Sequence, residues 1–340
     1  MQLSFLLLSI FFTFIFILIF SKLAHIFKLI DYPNSRKIHS SNVPVIGGVA
    51  INLNLILAII IFPTFFPNNI KYVIYVCSFL TILGVVDDAY DLNYIIKIIS
   101  QLIIITFIYF LGVKIHTLGN FSTDHFIYLG LFTFPFTVFM IFGFINSVNF
   151  IDGIDGLSSS YISLILVIFS LFSYLYSGYI IEQYIIFFFV SLIVFIFFNF
   201  SIFNSPKVFM GDSGTFFISS LIASILIIYS QNPLDVIHPL LIPWCMNVII
   251  YDLLFNSIRR VYNKSNPFEP DSDHIHHKFF ALGFSHFEII LIILLAQIVL
   301  SFIGYLIFSY ISIFLSITAF VIMFFIYSYL LVNLNKYFKI

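Results

Sequence analysis

The chain alternates between long apolar segments and short polar ones. A membrane-spanning helix needs about 20 mostly apolar residues, and eleven segments meet or approach that length. They lie near residues 2–20, 46–66, 72–86, 95–113, 126–145, 158–177, 184–200, 215–231, 237–257, 287–308 and 310–332, and the third is the shortest. One such segment alone would fit a buried core helix, but eleven in series predict an all-α polytopic membrane protein with one integral-membrane domain over residues 1–340.

The composition supports this prediction and excludes other classes. The 340 residues are 61% hydrophobic and only 9% charged, whereas soluble domains carry about 25% charged residues. The net charge of −1 provides no basic field for nucleic acid. Cys77 and Cys245 both lie in apolar segments, which leaves no disulfide framework. Because a charge in lipid is costly, the places where charges gather are where function is expected.

The basic residues predict the orientation of the chain. An odd number of spans puts the termini on opposite sides, and lysine and arginine concentrate on the cytoplasmic side of short loops. With a periplasmic N-terminus, the outer segments contain only Lys71 and Lys114. The cytoplasmic segments then contain Lys22, Lys28, Arg36, Lys37, Lys97, Lys207, Arg259, Arg260, Lys264, Lys278, Lys336 and Lys339. This asymmetry predicts a multi-pass membrane protein with an outer N-terminus and a cytoplasmic C-terminus.

Five cytoplasmic loops carry most of the polar chemistry, near residues 21–45, 87–94, 146–157, 201–214 and 258–286. The first contains Arg36, Lys37 and His39, which suit a phosphate or an anionic lipid headgroup. A basic loop that only sets topology is the alternative. Gly47 and Gly48 follow at the start of the next span, where they would allow close backbone approach.

The second loop holds three carboxylates within five residues, Asp87, Asp88 and Asp91. In a helix, residues three and four apart share a face, so these side chains would repel one another unless a cation lay among them. Hard oxygen ligands suit Mg²⁺ or Mn²⁺, with a phosphate completing the coordination shell. A solvated acidic loop is the alternative.

The third and fourth loops add polar groups at helix ends. Asn149 precedes two Asp-Gly turns at Asp152 and Asp155, and these amide and carboxylate groups suit a sugar or a pyrimidine. Asp212 begins the eighth span. It could be a metal ligand or a helix N-cap, or the loop could bind an anion through the amides of Ser213, Gly214 and Thr215.

The fifth loop follows Asp252 and contains Arg259 and Arg260, and then a histidine cluster that reads Asp273-His274-Ile-His276-His277. These histidines could bind diphosphate, carry a proton or ligate a metal. Zinc is unattractive because the cluster has no thiolate partners and the nearby carboxylates favour a harder ion.

Taken in order, these motifs closely resemble those of the polyprenyl-phosphate N-acetylhexosamine-1-phosphate transferases, which comprise WecA-like and MraY-like enzymes. The resemblance extends over most of the chain and includes the eleven spans with an outer N-terminus. It implies transfer of a sugar-1-phosphate, with GlcNAc-1-phosphate as the default, from a UDP-sugar to undecaprenyl phosphate, with release of UMP. The implied cofactor is Mg²⁺ or Mn²⁺, and the implied active site lies on the cytoplasmic face of the bacterial inner membrane.

The resemblance also implies roles for individual residues. Asp88 and Asp212 would bind the metal, and Asp87 would deprotonate or orient the lipid phosphate. The predicted catalytic set comprises Asp87, Asp88, Asp91, His274, His276 and His277. The predicted substrate-binding set comprises Arg36, Lys37, His39, Asn149, Asp152, Asp155, Arg259 and Arg260. Val45 departs from the family pattern, because many members carry arginine before the glycine pair.

Several alternatives stay open at this point. The His-Ile-His-His form favours the WecA-like branch over the phospho-MurNAc-pentapeptide transferases of peptidoglycan synthesis. A membrane prenyltransferase would also bind Mg²⁺ and diphosphate, but it would not need the doubled Asp-Gly turn. A secondary transporter would need polar helices near the midplane, and an intramembrane aspartyl protease would need its two aspartate motifs in another order. The sequence leaves open the N-acetylhexosamine, the downstream polymer and a homodimer.

Overall fold

A computed structural model describes residues 2–32, 42–122, 125–202, 205–231, 233–264 and 274–337. These residues form a predominantly helical protein with thirteen α-helices. The helices are α1 (Gln2–Leu23), α2 (Gly47–Ile61), α3 (Asn68–Tyr90), α4 (Tyr94–Phe110), α5 (Thr133–Ile151), α6 (Leu157–Ser177), α7 (Gln183–Asn199), α8 (Gly211–Ser230), α9 (Ile242–Cys245), α10 (Asn247–Tyr262), α11 (Ile275–Ala281), α12 (His286–Tyr310) and α13 (Ile313–Tyr337). The prediction of a helical, polytopic membrane protein is confirmed at this level.

Two short antiparallel hairpins, which the sequence analysis did not predict, accompany the helices in the described part of the chain. Strands β1 (Ile30–Asp31) and β2 (Val43–Pro44) pair before α2. Strands β3 (Thr117–Ser122) and β4 (His125–Tyr128) pair between α4 and α5, with two irregularities in their register. The fifth predicted span began near residue 126, so it included most of β4, which the apolar pattern does not distinguish from a helix.

Each of the eleven predicted spans has a helical counterpart, but the counterparts differ in length. Seven described helices are long and apolar enough to cross a membrane, and a bent pair raises that number to eight. Helices α2, α4 and α7 are shorter apolar helices. The count of eleven therefore stays a prediction. The third span, predicted to be short, is a helix of 23 residues, whereas the second helix ends at Ile61, just before Pro63.

The ninth predicted span, near residues 237–257, is not one straight helix. The segment Pro239–Cys245, which ends in α9, meets α10 at an angle of 80° around Met246. The carbonyl oxygen of Trp244 accepts hydrogen bonds from Asn247 Nδ2 at 2.8 Å, Gln297 Nε2 at 3.1 Å and Ser301 Oγ at 2.7 Å. Where a helix breaks in an apolar environment, some backbone groups lose their partners within the helix and have no water to bind. They therefore need side-chain hydrogen-bond partners.

The chain divides into two compact units, each built from several segments. The first comprises Met1–Val113, Ser158–Ser163 and Ile181–Ile225, and the second comprises Lys114–Leu157, Leu164–Ile180 and Leu226–Ile340. In the first unit, α1 packs against α2 and α7. Buried Asn54 of α2 donates to Thr13 at 2.9 Å and to Ser191 at 2.8 Å, which joins the three helices through polar groups.

The second unit contains the broken helix pair and the last two long helices. Trp244 is buried, donates its indole N–H to Ser316 at 3.0 Å and lies edge-on to Phe320. Gly304 of α12 lies against the Trp244 ring, since a Cβ there would be 2.0 Å from it. The indole therefore fixes α9 against α12 and α13.

Candidate active site

The polar site of the first unit includes the connection between α3 and α4. Asp91 ends α3 in the left-handed conformation, with φ of 51°. Its amide donates to the carbonyl of Asp87 at 2.8 Å. Asn93 then caps α4 by accepting the amide of Ile95 at 2.9 Å. This tight turn returns the chain on itself and places Lys97, on the first turn of α4, beside the end of α3.

Asp87 and Lys97 form an ion pair at this turn. Asp87 is buried, and its Oδ2 lies 2.6 Å from Lys97 Nζ. The other oxygen accepts the amide of Leu92 at 2.9 Å. Lys97 Nζ also lies 3.8 Å from Asp212 Oδ2. The lysine therefore carries one positive charge between two carboxylates from different helices, and a buried carboxylate needs such a partner.

Asp88 caps helix α8 from a different helix. Its Oδ1 accepts the amide of Asp212 at 2.9 Å, and its Oδ2 accepts the amide of Ser213 at 3.1 Å. The first amides of a helix lack partners within the helix, and a carboxylate favours the positive end of the helix dipole. Among the alternatives for the fourth loop, an anion site that uses the Ser213 amide is therefore contradicted, because Asp88 already occupies that amide.

Glycines allow the three helix ends to approach this closely. A Cβ on Gly84 of α3 would lie 2.2 Å from the backbone nitrogen of Ser213. A Cβ on Gly48 of α2 would lie 2.1 Å from the backbone nitrogen of Gly214. Phe209 donates its amide to the Pro44 carbonyl and accepts the amide of Gly47. The predicted close backbone approach at the glycine pair is thus confirmed.

The second unit gathers a separate cluster around the histidines. The rings of His276 and His277 lie 4.1 Å apart between centroids, and those of His274 and His276 lie 6.1 Å apart. Phe150 packs on His274 at 5.1 Å and on the Arg260 guanidinium at 5.6 Å. The structure therefore places the end of α5, α10 and α11 around one group of basic side chains.

The first Asp-Gly turn also contacts this cluster. A Cβ on Gly153 would lie 2.4 Å from Nε2 of His276, so the turn passes directly over the imidazole. His276 is fully buried, and burial lowers its pKa well below 6.5, with His277 and His274 adding to the shift. The ring is therefore neutral at neutral pH. Any contact it makes with a phosphate is a hydrogen bond without charge, while Arg260 supplies the positive charge.

Asp252 of α10 lies at the centre of a hydrogen-bond network in this unit. Its Oδ2 lies 2.6 Å from Nδ1 of His274. Its Oδ1 accepts the amide of Ile275 at 3.1 Å, the hydroxyl of Tyr327 at 3.0 Å and the side-chain amide of Asn256 at 3.2 Å. A carboxylate buried in an apolar helix is thereby fully hydrogen-bonded.

Most of the remaining residues of the predicted site lie within the described part of the chain. Asn149 lies in the last turns of α5, Asp152 caps the end of that helix and Asp155 follows in the turn; all three are half-buried. Arg259 is half-buried on α10. Asp91, predicted to be catalytic, is an exposed helix-capping residue. Arg36, Lys37, His39 and Asp273 lie outside the described residues.

The donor groups present fit a magnesium ion that binds together with a diphosphate. Within the described residues, no group of three or more histidine, cysteine or carboxylate side chains is placed to hold a metal. Mg²⁺ usually keeps several waters and uses one or two carboxylates together with substrate phosphates. Asp212 is a partly exposed carboxylate beside Lys97, which matches that requirement without a closed protein cage.

The sequence-based site omitted Lys97 and Asp252. Each position carries a signal in the sequence. Lys97 is the only basic residue in the helical hairpin of α3 and α4 other than Lys71, at the opposite end of α3. Asp252 is the only acidic residue in its apolar segment. Because an intramembrane charge is expensive, either position could have been included on that ground alone.

Comparisons with known proteins agree on one family. The sequence profile described as glycosyl transferase family 4 matches residues 70–230. A probable undecaprenyl-phosphate N-acetylglucosaminyl 1-phosphate transferase of Bacillus subtilis is 29% identical over 80% of this chain and 75% of the relative. Undecaprenyl-phosphate alpha-N-acetylglucosaminyl 1-phosphate transferases of Escherichia coli K12 and Yersinia pestis are 27% and 26% identical over 88% and 86% of this chain, which is 82% and 80% of the relatives.

Proposed function

We propose that this chain, whose residues 70–230 match the profile of glycosyl transferase family 4, transfers a sugar-1-phosphate from a UDP-sugar to undecaprenyl phosphate. The observation that carries the proposal is the similarity to transferases of that name over 80–88% of the chain. The default donor is UDP-GlcNAc, because the relatives are N-acetylglucosaminyl 1-phosphate transferases. The reaction would begin the synthesis of a cell-envelope polysaccharide at the cytoplasmic face of the inner membrane.

The proposed reaction is a phosphoryl transfer. An oxygen of the lipid phosphate attacks the phosphorus that carries the sugar, the bond to the α-phosphate breaks, and UMP leaves. The products are a lipid diphosphate-linked sugar and UMP. Little covalent chemistry falls to the protein in such a reaction, so its contribution is positioning and charge neutralisation.

Lys97 and the acidic residues of the first unit have distinct parts in this proposal. Lys97 binds a phosphate oxygen, and Asp87 holds its amine in place through the 2.6 Å ion pair. Asp212 is the proposed ligand of Mg²⁺, which when bound would neutralise negative charge on the diphosphate. Asp88 is predicted from the sequence to be a second metal ligand. We propose that it also orients Asp212, because both of its oxygens accept amides at the start of α8.

The second unit supplies groups for the donor in this proposal. Arg260 and the three histidines bind phosphate oxygens, with Arg260 providing charge and His276 a hydrogen bond. Asn149, Asp152 and Asp155 bind the nucleotide or the sugar through their amide and carboxylate groups. The neighbouring glycine of the first Asp-Gly turn, Gly153, contacts His276, which supports a shared role for the turn and the histidines.

A direct assay tests the proposal. The purified protein in detergent is mixed with radiolabelled UDP-GlcNAc, undecaprenyl phosphate and Mg²⁺. The expected result is label in the lipid phase with an equal amount of released UMP, both abolished by EDTA and by tunicamycin. UDP-GalNAc and other UDP-N-acetylhexosamines in parallel identify the donor. If no UDP-sugar gives labelled lipid while the protein stays folded, the proposed activity is wrong.

A further inference from the structure

Asp252 and His274 form a short, buried hydrogen bond, and its donor and acceptor can be assigned. The side chains are only 5% and 4% exposed, and Oδ2 lies 2.6 Å from Nδ1. A carboxylate can only accept, so Nδ1 of His274 must carry the hydrogen of this bond. The pair therefore fixes which of the two ring nitrogens is protonated, and this choice determines what the other nitrogen can do.

Asp252 is itself held in one position. Tyr327 of α13 and Asn256 of α10 donate to its Oδ1, and so does the amide of Ile275, the residue next to His274. The same carboxylate thus holds both the imidazole and the adjoining backbone at the start of α11. Phe150 packs on the ring of His274 at 5.1 Å and restricts its rotation.

We propose that Asp252 is a positioning residue that holds His274 with Nδ1 protonated and presents Nε2 to a phosphate oxygen of the substrate. Because Nδ1 keeps its hydrogen for Asp252, Nε2 can donate to a phosphate oxygen only when the ring is an imidazolium. The carboxylate of Asp252 balances that charge. The proposal rests on the proposed function, since it assigns His274 to the phosphates of that reaction.

The first test replaces the carboxylate with its neutral isostere. Asp252→Asn keeps the shape but removes the charge that balances the imidazolium, so the charge-assisted contact to phosphate is lost. We expect kcat/KM to fall roughly 10- to 100-fold, the size of one hydrogen bond to a charged group. Asp235→Asn, the same change at an exposed aspartate of the second unit, should leave kcat/KM unchanged.

Two further variants separate positioning from a merely structural role. Tyr327→Phe removes a donor to Asp252 and a link between α10 and α13, but it leaves the bond to His274. It should therefore cost less than about threefold. Because Asp252 acts through His274, Asp252→Asn combined with His274→Gln should be no less active than His274→Gln alone.

A spectroscopic readout keeps this test independent of activity. In ¹⁵N-histidine-labelled protein, the His274 signals are identified by their absence from His274→Gln. The wild type should show a strongly hydrogen-bonded Nδ1 proton that Asp252→Asn loses. An inactive wild type that shows this proton would reject the proposed function and leave the pairing intact. Unchanged kcat/KM or an unchanged Nδ1 proton in Asp252→Asn would overturn the positioning role. So would a loss of kcat/KM in Tyr327→Phe as large as that in Asp252→Asn. A double variant less active than His274→Gln alone would also overturn it.

Discussion

At the residue scale, neighbouring aspartates at the end of α3 have different surroundings. Asp87 pairs with Lys97, Asp88 caps α8, and Asp91 ends its own helix. The three carboxylates do not point at one ion, although their spacing along a helix favoured that interpretation. The separate partners also explain how three acidic residues within five positions avoid mutual repulsion.

The distinct roles of Asp88 and Asp212 lead to different outcomes for the same substitution. Asp88→Asn places an amide NH₂ against an α8 amide, and the unsatisfied donor should cost about 1–3 kcal/mol of stability. We expect a lower Tm together with lower activity. Asp212→Asn should leave Tm nearly unchanged but raise the Mg²⁺ concentration at half-maximal activity about tenfold or more. Unchanged turnover and metal dependence in both variants would refute their assignment as metal ligands.

Lys97 should contribute more to stability and to transfer activity than Lys71, the other lysine of α3 and α4. Lys97→Gln leaves the buried carboxylate of Asp87 without its cation, which should cost about 1–3 kcal/mol, because the lysine is partly exposed and the pair is not fully buried. Transfer activity should fall at least about 100-fold, and Lys97→Arg should recover part of it. The matched control is Lys71→Gln, because Lys71 donates to Asn68 at the opposite end of α3. A Lys97→Gln variant as stable and active as this control would contradict the role of the ion pair.

At the scale of elements, glycines fix the contacts of α2 and α3 with the start of α8. Gly48 and Gly84 each face backbone atoms of Ser213 or Gly214 at a distance that leaves no room for a methyl group. Backbone cannot move aside as a side chain can, so these two positions require glycine on steric grounds. The position of Asp212 beside Lys97 depends on this packing.

Substituting these glycines tests the packing directly. Gly84→Ala should separate α3 from α8 and cost about 1–3 kcal/mol or more through overpacking. The matched control is Gly143→Ala in α5, where the nearest atom, Leu253 Cδ2, would be 3.7 Å away. Alanine is the better helix former there and should raise stability by about 0.5–1 kcal/mol. Thermal unfolding in detergent measures both, and equal Tm values for the two variants would contradict the close contact.

At the scale of the whole molecule, the basic residues predict the orientation of the chain in the membrane, which the helices alone do not. Twelve of the fourteen basic residues lie on the side predicted to be cytoplasmic. The two native cysteines are fully buried, so an introduced cysteine reports on its own position. This property allows the predicted topology to be tested in intact cells.

Two single-cysteine variants give opposite expectations. Cysteine in place of exposed Leu234, between α8 and α9, should react with a membrane-impermeant maleimide in intact cells. Cysteine in place of exposed Asn263, after α10, should react only after permeabilisation, because positively charged loops stay inside. The unmodified chain, with buried Cys77 and Cys245, is the background control. Labelling in the reverse order would show that the predicted orientation is wrong.

The sequence determined the class of protein and the residue types of its candidate site, because both follow from local patterns. Apolar stretches of this length require a membrane, and five ordered polar loops in so apolar a chain mark places where charge is retained for a purpose. The aspartates of the loops near residues 87–94, 146–157 and 201–214, and the arginine and histidine residues Arg259, Arg260, His274, His276 and His277, can all be identified from the sequence.

Only the tertiary structure decided what these residues contact. The pairing of Asp87 with Lys97 depends on a left-handed residue and a tight turn, and the cap of α8 by Asp88 joins residues 124 positions apart. The bond between Asp252 and His274 joins two helices across residues 265–273, which lie outside the described part of the chain. A periodic pattern records which face of a helix is apolar, but it contains no information on which distant partner will neutralise a buried charge. That partner is fixed by packing, and packing at the start of α8 is in turn fixed by glycines whose role appears only when the neighbouring backbone is in place.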